Sequence, residues 1–223
     1  MDMKTLASRI DQTSLRPDVT EKEFCEFVER SASLGFATLC VQPFRVALAK
    51  RLLGNSSTRV STVAGFPLGF QTPGVKLFEA RTAFDDGASE IDMVINISAL
   101  TSGNASSVAV ELSAIVKAVP GALIKVIMET CYLTEEEKLA ALEAAVSTGA
   151  RFVKTSTGFG PKGADIRDIE LLKGAARGRI MIKASGGIKT LESALSMIEA
   201  GADRLGTSSG PPILEELKGG FNK

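Results

Sequence analysis

Eight short runs rich in Val, Ile, Leu and Phe recur along the 223 residues, each separated from the next by a stretch of helical spacing. They are RIDQT (9–13), FATLCVQ (36–42), RVSTVAGF (59–66), EIDMVIN (90–96), LIKVIME (123–129), RFVKTST (151–157), RIMIKAS (179–185) and DRLGTS (203–208). A crossover helix returns each strand in the direction of the last, so repeated strand–helix units build a parallel sheet. Eight units in about 220 residues match a lean (β/α)8 TIM barrel occupying 1–223 as a single domain, with a doubly wound open sheet as the alternative.

The intervening stretches carry helix boundaries. TEKEFCEFVERSASLG holds a capping box at Thr20 and Glu23 with Gly35 as a stop, and Thr134 and Glu137 repeat the box before the sixth strand. Gly-Ala pairs in DDGASEIDM, STGARFVK and EAGADRLG fit compact helix-to-strand connections.

Composition removes several chemistries. The chain has no histidine, which excludes Ser/His/Asp and Cys/His catalysis and histidine-ligated metals, leaving Asp, Glu, Lys, Cys, Tyr132 or water for proton transfer. Twenty-six basic residues balance twenty-six acidic ones, so no basic field awaits a nucleic acid. Cys25, Cys40 and Cys131 are odd in number and widely spaced, unlike a disulfide framework or thiolate metal site. With no bilayer-length apolar run, and an opening MDMKTLASRIDQTSL unlike a signal peptide, the expectation is a soluble cytoplasmic protein without membrane partners or a metal.

A barrel of this kind builds its active site at the C-terminal ends of the strands. Polar residues gather at such positions: Asp11 with strand 1, Asp92 in strand 4, Glu129 ending strand 5, Lys154 in strand 6 and Lys183 in strand 7. Period-2 alternation puts Phe152, Lys154 and Ser156 on one face, and Met181, Lys183 and Ser185 on one face of the neighbouring strand. Two ammonium groups brought together in a poorly solvated place disfavour protonation, and a neutral lysine amine is a Schiff-base nucleophile. Asp92 supplies a carboxylate to take or relay protons. Lys125, near the start of strand 5, reads instead as a solvated or snorkelling side chain.

KASGGIKT (183–190) and LGTSSGPP (205–212) form the second constellation. Loops after strands 7 and 8 of a barrel often hold phosphate at a helix N-terminus. Gly186 and Gly187 permit close backbone approach, Ser208 and Ser209 add hydroxyls, and Pro211 suits a helix start. Gly65, Pro67, Gly69 and Pro73 make a stiff loop that either walls the pocket or merely turns into the next helix. Cys40 is a core residue or a lining one, and Glu129 a partner of the site or a strand-end charge.

With these residues assembled, the chain resembles the deoxyribose-phosphate aldolases, class I Schiff-base enzymes on a TIM barrel. The resemblance runs through IDQTSL, AGFPLG, EIDMVIN, KVIMETC, FVKTSTGFG, KASGGIKT and GTSSG, in that order and over most of the chain. It implies reversible cleavage of 2-deoxy-D-ribose 5-phosphate into acetaldehyde and D-glyceraldehyde 3-phosphate, with no cofactor, in deoxyribose phosphate catabolism. It makes Lys154 the Schiff-base lysine, Lys183 its perturbing neighbour and Asp92 the proton carrier with water. It maps substrate contacts onto Asp11, Thr13 and Cys40, and phosphate contacts onto Gly158, Gly186, Gly187, Gly206, Ser208 and Ser209. It also implies a homo-oligomer, dimer or tetramer. Gln12 stands where many relatives have histidine, and Phe159 where some carry a phosphate-contacting lysine, a charge left to Lys189 or Lys162. The terminal GGFNK lacks the tyrosine some relatives use, so proton transfer falls to water and Asp92. A Schiff-base aldolase for another phosphosugar, or a non-catalytic phosphosugar-binding barrel, would use many of the same residues.

Overall fold

The computed structural model describes residues 1–220; the Phe-Asn-Lys end of the tail lies outside the described residues. All eight runs are strands: β1 Ile10–Ser14, β2 Thr38–Val41, β3 Arg59–Ala64, β4 Glu90–Val94, β5 Leu123–Ile127, β6 Phe152–Lys154, β7 Met181–Ser185 and β8 Arg204–Thr207. They pair in sequence order, and β8 returns to β1 through Ile10↔Leu205, Asp11↔Gly206 and Gln12↔Thr207, closing a parallel barrel. Closure rules out the open doubly wound sheet.

The principal helices cover the barrel: α2 Glu21–Ala32, α3 Val46–Leu53, α4 Pro73–Asp85, α6 Ala105–Ala118, α7 Glu135–Thr148, α8 Ile166–Ala176, α9 Leu191–Glu199 and α10 Gly210–Gly220. Two short helices are added, α1 Met3–Ala7 before β1 and α5 Ile97–Thr101 after β4. Thr20 with Glu23 and Thr134 with Glu137 form the expected capping boxes, each satisfying two backbone groups that a bare helix start would leave unpaired. The Gly-Ala connections have a backbone cause: Gly87, Gly149 and Gly201 all adopt positive φ, letting the chain turn from a helix end directly into the next strand.

The apolar layer lies between strands and helices, with Leu39, Ile91, Val126, Val153, Ile182 and Leu205 buried against residues such as Phe24, Leu112, Leu142 and Leu172. Outward strand residues therefore make the main core, which leaves the barrel axis free for a different population of side chains.

Candidate active site

That axis is charged. At its foot Glu90 accepts from Lys125 (2.8 Å) and from Arg204 (3.3 Å), and half-exposed Arg59 reaches its other oxygen at 2.6 Å. One tier up, Asp11 receives Arg204 on Oδ1 at 2.6 Å and Lys183 on Oδ2 at 2.5 Å, with Lys125 3.4 Å away. Asp92 receives Lys125 on Oδ1 at 2.7 Å, and both Lys183 (2.7 Å) and Lys154 (2.9 Å) on Oδ2. β6 and β7 pair Lys154 directly with Lys183, as the alternation predicts. Lys183, Lys125, Asp11, Asp92 and Glu90 are fully buried, and Lys154 is 4 % exposed at the top of the column.

Lys125 corrects the sequence reading. It neither snorkels nor meets water: it stands in mid-strand on the inward face, held by three carboxylates. Its presence changes the charge count. Inside the barrel Lys125, Lys183 and Arg204 already match Asp11, Asp92 and Glu90 in charge, and Arg59 reaches Glu90 from the half-exposed foot, so a proton on Lys154 adds positive charge beyond what these carboxylates balance. Burial opposes charge on every lysine here. For Lys125, the opposing carboxylates Asp11, Asp92 and Glu90 overcome burial and hold its pKa far above the usual lysine value. Asp11 and Asp92 do the same for Lys183. For Lys154, burial outweighs the pull of Asp92, Lys183 adds to the loss, and the pKa falls below the usual value. Burial raises Asp92 less than Lys125, Lys154 and Lys183 lower it, so it stays ionised. The result is one lysine whose surroundings favour the neutral amine, beside a fixed carboxylate.

Lys154 opens into a cavity of about 610 Å³ at the C-terminal mouth. Thr13, Gly158, Gly186, Gly187, Gly206 and Ser208 of the expected pocket line it. Two expected substrate contacts lie elsewhere. Asp11 is buried with both oxygens engaged, and Cys40 is buried below the lining, its thiol pushed up first by burial and then by Asp92. Ser209 also stays off the lining, its N–H donated to Thr207 Oγ1 at 2.9 Å. Lys189 lines the cavity and Lys162 does not.

The rim is braced from several sides. Glu129, in a left-handed conformation, accepts from the Thr157 N–H at 3.2 Å and from its hydroxyl, and Thr157 Oγ1 accepts from Phe159 N–H at 3.0 Å. Its choice of roles is settled: it shapes the loop after β6. Gln12 accepts from Gly210 N–H (2.9 Å) and donates to the Ser208 carbonyl (3.1 Å), tying β1 to the loop after β8. Phe66, from the loop after β3, packs edge-on against Phe159 with centroids 5.3 Å apart, so that loop reaches the cavity wall through an aromatic contact.

Arg16 and Arg30 on the far wall were not foreseen. Arg30 follows Glu23 and Phe27 at helical spacing along α2, a face whose direction depends on how α2 docks.

A buried lysine with a lowered pKa beneath a glycine-rich, hydroxyl-bearing rim on a closed parallel barrel fits one class, the Schiff-base enzymes acting on small carbonyl compounds. The match to the DeoC/LacD family of aldolases covers residues 2–215, and the chain belongs to that family. It is 46 % identical to the deoxyribose-phosphate aldolase of Dictyoglomus turgidum over 217 residues, covering 97 % of this chain and 99 % of that one. It is 48 % identical to the enzyme of the same name from Thermococcus kodakarensis, covering 96 % and 98 % of the two chains. Among solved structures, QR15, an aldolase, superposes with a TM-score of 0.93 at 47 % identity over 97 % of each chain. The tetrameric deoxyribose phosphate aldolase of Aeropyrum pernix superposes at 0.88 with 36 % identity, covering 96 % of this chain and 92 % of its own.

Proposed function

We propose that Lys154 performs, as a Schiff base, the reaction of this family: reversible cleavage of 2-deoxy-D-ribose 5-phosphate to acetaldehyde and D-glyceraldehyde 3-phosphate. The activity is that of a deoxyribose-phosphate aldolase, a lyase of deoxyribose phosphate catabolism. The observation that supports the residue assignment is the place of Lys154 at the top of the barrel column, where it meets the cavity and burial lowers its pKa against the pull of Asp92.

The free amine of Lys154 attacks C1 of the open-chain sugar. The Lys183 ammonium is the proton donor placed to help hydroxide leave, giving an iminium cation and water. Asp92, bonded to Lys154 at 2.9 Å, lies beside the positive charge as it forms, with Lys125 and Lys183 as its other partners. Loss of the C3 hydroxyl proton to water beside Asp92 lets the C2–C3 electrons fall onto the iminium, releasing glyceraldehyde 3-phosphate and leaving an enamine. Protonation of the enamine carbon and hydrolysis return the free amine and acetaldehyde. Phosphate held by Gly158, Gly186, Gly187, Gly206 and Ser208, with Lys189 supplying charge in place of Phe159, keeps C1 over Lys154.

The protein also acts as a homo-oligomer in this reading, supported by exposed Phe44, Phe70 and Phe78 and by the tetrameric relative. The cytoplasm suits its three free cysteines, and no helix among the described residues is long and apolar enough to cross a membrane. Incubation of the purified protein with deoxyribose 5-phosphate is expected to release acetaldehyde and glyceraldehyde 3-phosphate, with far lower kcat/KM for unphosphorylated deoxyribose. Absence of release from the phosphorylated sugar refutes the proposal.

A further inference from the structure

One polar group at the barrel mouth remains unused by the mechanism. Ser185 is 4 % exposed and lines the cavity, yet its hydroxyl has no hydrogen-bond partner. Its backbone is engaged, the N–H donating to Thr155 Oγ1 at 3.1 Å and the carbonyl accepting from that hydroxyl at 3.3 Å. The side chain alone is left over. A buried hydroxyl without a partner destabilises the fold, so an unpaired one in a ligand cavity calls for a partner from the ligand.

β7 fixes its height. Ser185 follows Lys183 by two residues, hence on the same face and about 6.5 Å nearer the mouth, immediately below the rim glycines 186 and 187. Gly206 is its neighbour on β8, and a Cβ there would fall on Ser185 Oγ and come within 3.0 Å of Lys183 Cε. The missing side chain of Gly206 leaves that hydroxyl its room, where its oxygen lies closed to solvent, and a turn about the Cα–Cβ bond is what would present it to a ligand.

We propose that Ser185 Oγ is the hydrogen-bond partner of the substrate's C4 hydroxyl, and so a specificity-determining residue between the Schiff base and the phosphate. This rests on the aldolase reading. With C1 on Lys154 and the phosphate at the rim, the intervening carbons pass the tier on which Ser185 stands. The C3 hydroxyl falls to Asp92 and its water, which leaves the C4 hydroxyl, the C2 hydroxyl of glyceraldehyde 3-phosphate, to Ser185.

The test is Ser185→Ala in the condensing direction, with acetaldehyde as donor and three acceptors: D-glyceraldehyde 3-phosphate, 3-phosphonooxypropanal, which lacks the hydroxyl in question, and unphosphorylated D-glyceraldehyde. The expected kcat/KM falls about tenfold with both hydroxylated acceptors and less than twofold with the deoxy acceptor. Because Ser185 Oγ bonds to nothing in the protein, its removal leaves the fold's hydrogen bonds intact. An equal loss with all three acceptors, no loss with any, or a loss confined to the two phosphorylated acceptors overturns the assignment. Borohydride trapping of acetaldehyde on Lys154 in the same variant separates the two claims: the adduct persists if only the Ser185 assignment is wrong, and its absence from wild type defeats the aldolase reading itself.

Discussion

Replacing Lys183 by Met removes one of the buried cations that face Asp11 and Asp92, and so favours a proton on Lys154. The size of the effect follows from geometry. Lys154 and Lys183 bond to the same oxygen of Asp92 at 2.9 and 2.7 Å, so their nitrogens lie within about 5.6 Å of each other. Two like charges at that distance, in an effective dielectric of about 20, repel by about 3 kcal/mol. Loss of that repulsion raises the pKa of Lys154 and costs up to about a hundredfold in free amine near pH 7, and kcat/KM should fall by at most a similar factor through this effect. The alkaline rise in activity should move to higher pH, because Lys154 loses its proton later than in wild type, while loss of the Lys183 proton donor keeps the plateau below that of wild type. The assay is a pH profile of deoxyribose 5-phosphate cleavage for both proteins, with thermal melts to confirm folding. A folded Lys183→Met protein with wild-type activity at pH 7, or with an unshifted alkaline rise, refutes the charge-count argument.

The column makes opposite forecasts for its other lysines. Lys154→Met removes the surplus amine, so turnover should vanish while the melting temperature holds or rises; a marked drop in melting temperature contradicts this. Lys125→Met strips three carboxylates of a shared partner and should cost about 3–5 kcal/mol in urea unfolding, whereas an unchanged midpoint sinks the idea. Gln12→Leu releases the loop carrying Ser208 and Gly210 and should raise KM for deoxyribose 5-phosphate about tenfold, with little change for unphosphorylated deoxyribose; equal changes for both sugars argue against a phosphate-rim role. Asp11 and Asp92 titrate below ordinary carboxylates in the fold, so the unfolded chain binds more protons as pH falls below about 4. Stability should therefore decline with falling pH in that window, and Asp11→Asn should flatten the slope; an unchanged slope removes Asp11 from the account.

The lysine pair and the eight strands were legible because both rest on local periodicity: β6 and β7 are consecutive, parallel and nearly in step, so like positions meet. Lys125 was missed although the same alternation reaches it. Ile127 pairs with Lys154, which puts Lys125 two residues lower on the same inward face, but a lone lysine early in a strand carries the ordinary expectation of solvent. What makes it internal is a set of partners far apart in sequence, Glu90, Asp92 and Asp11, the last contributed only when β1 closes on β8. Closure likewise decides that Asp11 is a buried counter-charge and no pocket residue. Glu129 and Gln12 show the same limit: each acts on a loop remote in sequence, and no local pattern announces the hydrogen bonds that make them braces. Arg30 belongs to a helix face whose direction only docking reveals.

The most direct test of the central claim is to incubate the protein with acetaldehyde at pH 7, reduce with borohydride, and locate the added ethyl group by peptide mass spectrometry. Label on Lys154, with Lys125 and Lys183 unmodified, is the predicted result: those two are fully buried and held by carboxylates, and of the three column lysines Lys154 alone lines the cavity, with its pKa lowered. Label on Lys183, or no label on Lys154 in folded protein, would contradict it.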